Sequence, residues 1–168
     1  MSVVTEPNKK RRLIGLGVAI LAVLGFGWYQ YTDGHVLGPL LGWDKWQMSG
    51  HSMDPTIDDG QTIWTEPLDG EMPKRGDIVV VRDPRGRTLV KRVAAVGGDT
   101  IETRDGVLVI NGEATTREVW AVWSGPEIPL IELPADTVYV LGDNVGGSRD
   151  SREFGPVDAD DVLGVVRD

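Results

Sequence analysis

The 168-residue chain has no cysteine and only two histidines, which excludes disulfides, thiol catalysis and a multi-histidine metal centre. Its formal net charge is −9; four bases against Glu6 make residues 1–12 +3 and leave −12 for the rest. So acidic a body offers no basic face on which phosphates release counterions, and nucleic acid is excluded as a partner.

In chain order, residues 1–12 close on Lys9-Lys10-Arg11-Arg12 and read as a basic cytoplasmic N-terminus. Residues 13–31, LIGLGVAILAVLGFGWYQY, carry no charge. As a helix they reach about 29 Å at 1.5 Å per residue, close to the roughly 30 Å hydrocarbon core of a bilayer. Trp28, Tyr29 and Tyr31 sit at the far end, where amphipathic rings favour the headgroup region. Positive charge stays on the cytoplasmic side, so everything after residue 31 is expected outside. A cleaved export signal would end on small residues, not bulky aromatics, so a retained single-pass transmembrane helix in the cell membrane is expected. Residues 32–47 form a juxtamembrane segment. Its Leu37, Leu40, Leu41, Trp43 and Trp46 suit either the lipid surface or a cap on the domain core.

Residues 48–168 form the expected extracytoplasmic domain. Short apolar runs at 62–64, 77–81, 89–96, 107–110, 137–141 and 162–166 read as strands. Asp83-Pro84-Arg85-Gly86 reads as a hairpin loop, and Asp105-Gly106 and Asn111-Gly112 as tight turns. There is no internal repeat and no long helical periodicity. The fold class expected is mainly β: a strand-rich, barrel- or sandwich-like catalytic domain on a single N-terminal transmembrane helix.

Histidine-based serine catalysis is hard to build here. His51 neighbours Ser52, and in an extended segment adjacent side chains point to opposite faces; His35 lies just past the membrane span. An activated serine would need a lysine or a carboxylate as base. Of the three lysines after the anchor, Lys45 is flanked by Asp44 and Trp46, and Lys74 lies in a polar turn. Lys91 alternates with Leu89, Val93 and Ala95, so a strand puts it on an apolar face. Lost hydration lowers a lysine pKa. To act as a base near neutrality it must fall by roughly 2–3 from about 10.4, or about 3–4 kcal/mol. A snorkelling or carboxylate-paired lysine would fit the same local pattern.

Four segments in order resemble the bacterial type I signal peptidases, the serine–lysine leader peptidases of family S26. Ser52-Met53-Asp54-Pro55-Thr56-Ile57 resembles the nucleophile segment, and Arg75-Gly76-Asp77 with the following valines resembles the next strand. Val90-Lys91-Arg92-Val93 followed by Gly97-Gly98-Asp99 resembles the base-bearing segment. Gly142-Asp143-Asn144 with Ser148-Arg149-Asp150-Ser151-Arg152 resembles the last family box. The resemblance implies Ser52 as nucleophile and Lys91 as general base. It also implies that Ser148 orients the amine, Asp150 and Arg152 support the site as a pair, and Met53 packs beside the nucleophile. The Ser52 N–H would serve the oxyanion. Gly50 stands where some relatives carry a serine that adds a second oxyanion donor. Val96-Gly97-Gly98-Asp99 departs from the usual L-P-G-D turn. Relatives of the endoplasmic reticulum type have histidine in place of Lys91. The short stretch between Lys91 and the last box implies that the large accessory β-insertion of some members is absent or vestigial here.

The implied reaction removes signal peptides from exported preproteins through an acyl-enzyme, with small residues before the cleavage site and the substrate bound as an extended strand. The lipid bilayer is the other implied partner; no metal and no cofactor is implied. The alternatives are a peptidase dedicated to one exported or pilin-like substrate, or a catalytically silent, membrane-tethered β binding domain.

Overall fold

The computed structural model describes residues 42–167. The expected basic N-terminus, the membrane span at 13–31 and residues 32–41 lie outside them. Among the described residues no helix is long and apolar enough to cross a membrane.

Among the described residues eleven strands follow one another: β1 (Asp44–Gln47), β2 (Thr62–Glu66), β3 (Ile78–Arg82), β4 (Thr88–Val96), β5 (Thr100–Arg104), β6 (Val107–Ile110), β7 (Glu113–Ala114), β8 (Ile131–Glu132), β9 (Thr137–Leu141), β10 (Val157–Asp158) and β11 (Val162–Arg167). All pairings are antiparallel. Seven strands make one sheet in the order β1-β2-β11-β3-β4-β9-β10, and four make a second in the order β7-β6-β5-β8. The large sheet curls into a half-barrel, and bulges in β4 and β11 interrupt its ladders. Such bulges bend a strand and strengthen its twist.

Period-two alternation explains how the large sheet buries both faces. In β3, Val79 and Val81 join Val93, Val138, Val140, Val157, Val162 and Val165 in one cluster. Val80, between them, joins Val90, Ile63 and three residues of the loop after β1: Met48, Met53 and Ile57. A third cluster holds the second sheet against the first, with Ile101 and Leu108 packed on Ala94, Ala95, Tyr139 and Leu141. Trp120, Trp123 and Ile128, from the stretch between β7 and β8, complete it.

The turns follow their residues. Asp105-Gly106 and Asn111-Gly112 have positive φ at both positions, as two-residue hairpin turns require. At the β3–β4 hairpin, the buried Asp83 carboxylate accepts from the N–H groups of Arg85 and Arg87 and from the Arg87 guanidinium. It also accepts from Arg149 Nη1 at 2.7 Å, which ties the hairpin to the last sequence box.

One sequence expectation is corrected. Leu89 and Val93 do share a cluster, but the bulge between Val93 and Ala95 resets the alternation, and Ala95 packs with Ala94 on the second sheet. The last four residues of the juxtamembrane stretch form β1, which holds its place at the sheet edge by pairing with β2.

Gly164 offers a direct check on this packing. A Cβ there would lie 2.8 Å from Glu66 O and from Thr65 Cβ, where β11 crosses β2. Gly164→Ala is expected to cost about 1–3 kcal/mol by overpacking. Urea denaturation should show a lower midpoint at unchanged slope.

Candidate active site

Ser52 lies in the loop between β1 and β2. The neck of that loop is closed by Met48 N–H to Gln61 O at 2.8 Å and Gly60 N–H to Met48 O at 3.0 Å. Gly50 sits at φ +92°, a region that disfavours side chains, and donates to Asp59 Oδ1 at 2.7 Å. Met53 is fully buried and plugs the loop into the core, and Thr56 and Ile57 N–H groups bond back to its carbonyl. Ser52 is thereby left half-buried on a turn. Its own N–H has no hydrogen-bond partner among the described residues.

Lys91 comes to it from β4, opposite Val79 of β3. Pairing of β4 with β9 begins only at Arg92 and Leu141, so Lys91 lies just before the point where the two strands join. Its Nζ donates to Ser52 Oγ at 2.7 Å and to Val90 O at 2.7 Å. The residue is 2% exposed, and neither hydrogen-bond partner is a carboxylate. Burial is the main cause that lowers the amine pKa from 10.5 to about 8. The charges of Asp150 and Asp143 oppose this from a distance, and Arg152 adds to it.

The remaining site residues brace these two. Asp150 is fully buried and takes a two-point ion pair from Arg152, with Nε to Oδ1 at 2.7 Å and Nη2 to Oδ2 at 2.8 Å. It also accepts the N–H of Gly142 at 3.0 Å and caps the short helix Ser151–Phe154. Arg152 reaches Ser148 O at 3.0 Å. Ser148 Oγ is buried without a hydrogen-bond partner, so the bond to the Lys91 amine that the resemblance implies is not formed in this structure. His51 is turned outward to Asp54 Oδ2 at 3.1 Å, its side chain 70% exposed, and makes no bond to Ser52.

Three further residues, just past β9, hold the Ser52 loop, and sequence reading gave them no role; Asp143 also ties it to the lysine strand. Asp143 accepts a buried bidentate pair from Arg92, at 2.8 and 2.6 Å, and the Thr56 hydroxyl at 2.5 Å. Thr56 follows Ser52 in the same loop and Arg92 directly follows Lys91, so one carboxylate ties the two segments together. Asn144 donates to Ser52 O through its backbone and to His51 O through its side chain. Gly142 has no space for a side chain: a Cβ would collide with Ser148 Oγ and Ser52 O. The only sequence signal for these residues was their place inside the quoted motifs.

The arrangement has what nucleophilic catalysis on a carbonyl needs: a hydroxyl, an amine held dry against it, and an unspent N–H beside the hydroxyl. Among the described residues no group of three or more acidic or histidine side chains converges to hold a metal.

Known proteins resemble this chain in sequence and in fold. The family described as signal peptidase, peptidase S26, matches residues 37–167. Signal peptidase I V of Bacillus subtilis strain 168 is 29% identical over 139 residues, 73% of this chain and 83% of its own. Signal peptidase I of Bacillus licheniformis is 32% identical over 136 residues, 72% and 73% of the two chains. The crystal structure of a signal peptidase I from Enterococcus faecalis V583 superposes with a TM-score of 0.53 at 30% identity, covering 58% of this chain and 98% of that one. Because the family match spans every described residue, the chain belongs to the signal peptidase family S26.

Proposed function

We propose that the chain is a membrane-anchored serine endopeptidase that removes N-terminal signal peptides from exported preproteins, with Ser52 as nucleophile and Lys91 as general base. The observation that carries this reading is the 2.7 Å contact between a buried amine and the Ser52 hydroxyl.

The neutral amine accepts the Ser52 proton as Oγ attacks the scissile carbonyl, and the Ser52 N–H stabilises the oxyanion. The resulting Lys91 ammonium protonates the leaving amine. Water, activated by the same amine, then releases the acyl group from Ser52. Ser148, Asp150 and Arg152 support the site, and Met53 seats the nucleophile turn. The substrate is an extended segment with small side chains before the cut. Residues 13–31 cross the cell membrane once with the basic N-terminus in the cytoplasm, holding Ser52 on the outer side where cleavage sites emerge.

Ser52→Ala and Lys91→Ala are each expected to lower cleavage of a signal-bearing precursor by at least about 10⁴-fold while the fold is retained. Mass spectrometry of the products and circular dichroism check the two halves of that statement. Full turnover by either variant would remove its residue from the mechanism.

The pH–rate profile follows from the amine. Only its neutral form accepts a proton, so kcat/KM should rise with pH and level off above about 8. A profile that keeps rising toward pH 10.5 would mean an amine that is not desolvated.

Stability should carry the same signature. Between about 8 and 10.5 the unfolded chain holds a proton on Lys91 that the folded chain has released, so stability rises with pH across that window. Below it, the charged amine costs the fold about 3 kcal/mol. Lys91→Met should therefore be more stable than the parent at pH 7 by up to that amount, with the gap closing above pH 10.5. Comparing the two proteins cancels the opposite effect of Tyr139, whose phenol burial pushes up to about 12. Equal stability of the two at pH 7 would contradict a strained amine.

A further inference from the structure

The stretch between β7 and β8 reaches the site from behind through two tryptophans that the mechanism does not use. Trp120 is 2% exposed, and its Nε1–H donates to Gly142 O at 3.2 Å within the core. Gly142 is the residue pressed between Ser148 Oγ and Ser52 O, and its N–H is held by Asp150. Trp123 lies under the Arg152 guanidinium at 5.5 Å and anchors its own Nε1–H on Pro126 O at 2.9 Å. Gly125 passes so close to Arg152 and Val145 that a Cβ would strike both. The segment therefore backs both halves of the last box, the Gly142 turn and the Asp150–Arg152 pair.

We propose that Trp120 is a positioning residue for the peptidase reaction: its indole N–H fixes the Gly142 turn and so holds Ser148 and the Ser52 loop closed around the Lys91 amine. This rests on the Ser52–Lys91 reading. Trp120 makes no hydrogen bond to Ser52 Oγ or Lys91 Nζ; its indole N–H is spent on the Gly142 carbonyl. It acts by keeping the turn from sliding outward, which would admit water to the amine.

Trp120→Phe keeps an aromatic ring in the core and removes the donor together with the volume of the indole's pyrrole ring. The test compares the kcat and KM pH profiles of wild type, Trp120→Phe and Val122→Ser on a signal-bearing precursor, with folded fraction measured at each pH. Val122 lies two residues on and is 81% exposed, so its variant reports damage to the segment as such. Trp120→Phe should lose about tenfold in kcat with KM unchanged. Its acid limb should also move upward by about half a pH unit or more, because Asp143, Asp150 and Arg152 keep their charges and only the hydration of Lys91 changes. Val122→Ser should match wild type. A Trp120→Phe protein with wild-type kcat, or one whose kcat falls without movement of the limb, would overturn the positioning role. A wild type that cleaves no precursor would sink the peptidase reading and this role together.

Discussion

The hydrogen bond from the Lys91 amine to the Ser52 hydroxyl depends on keeping water away from a group that water strongly prefers. A lysine 2% exposed, with a carbonyl and a hydroxyl as its only hydrogen-bond partners among the described residues, sits in a place where its charge is poorly compensated. In the proposed mechanism that poor compensation is the useful property. A carboxylate in direct contact would stabilise the fold and leave the amine permanently protonated. The nearby acids are instead occupied: Asp143 by Arg92 and Thr56, Asp150 by Arg152 and the Gly142 N–H. Each arginine withholds a carboxylate from the lysine, so the charges around the site are neutralised in pairs without neutralising the amine.

The same pairs hold the geometry. Ser52 and Lys91 are 39 residues apart on different elements, so their separation depends on what joins the nucleophile loop to the sheet. Asp143 and Asn144, just past β9, hold the loop from one side, while Met53 and Ile57 seat it in the core from below. Asp83 and Arg149 join the β3–β4 hairpin, which leads into Lys91, to the segment that carries Ser148 and Asp150. Charge-assisted bonds with buried partners suit this work, because removing either partner leaves an uncompensated charge inside.

Much of the scaffold was legible in the residues. Runs such as Thr137–Leu141, buried along their whole length, and the Asp-Gly and Asn-Gly turns carry local signals that tertiary context did not override. β1 was not legible: Asp44, Lys45 and Gln47 are exposed around one half-buried tryptophan, and only pairing with β2 makes them a strand. β5 carries a single fully buried hydrophobe, Ile101, between polar residues. The bulge in β4 left no mark in the sequence and moved Ala95 to the other cluster. At the site, the order of motifs and the scarcity of lysines pointed to Ser52 and Lys91. The tie through Asp143, the crowding at Gly142 and the contacts of Trp120 arise only when distant segments meet, and no local pattern encodes them.

The proposed chemistry depends on the charge state of one amine. Its most direct test is titration of Lys91 Nζ by NMR in selectively labelled, detergent-solubilised protein, with the signal assigned by its loss in Lys91→Arg. A midpoint near 8 is the expected result. A midpoint near 10.5, that of a hydrated lysine, would contradict it, because the residue would then be an ammonium throughout the physiological range.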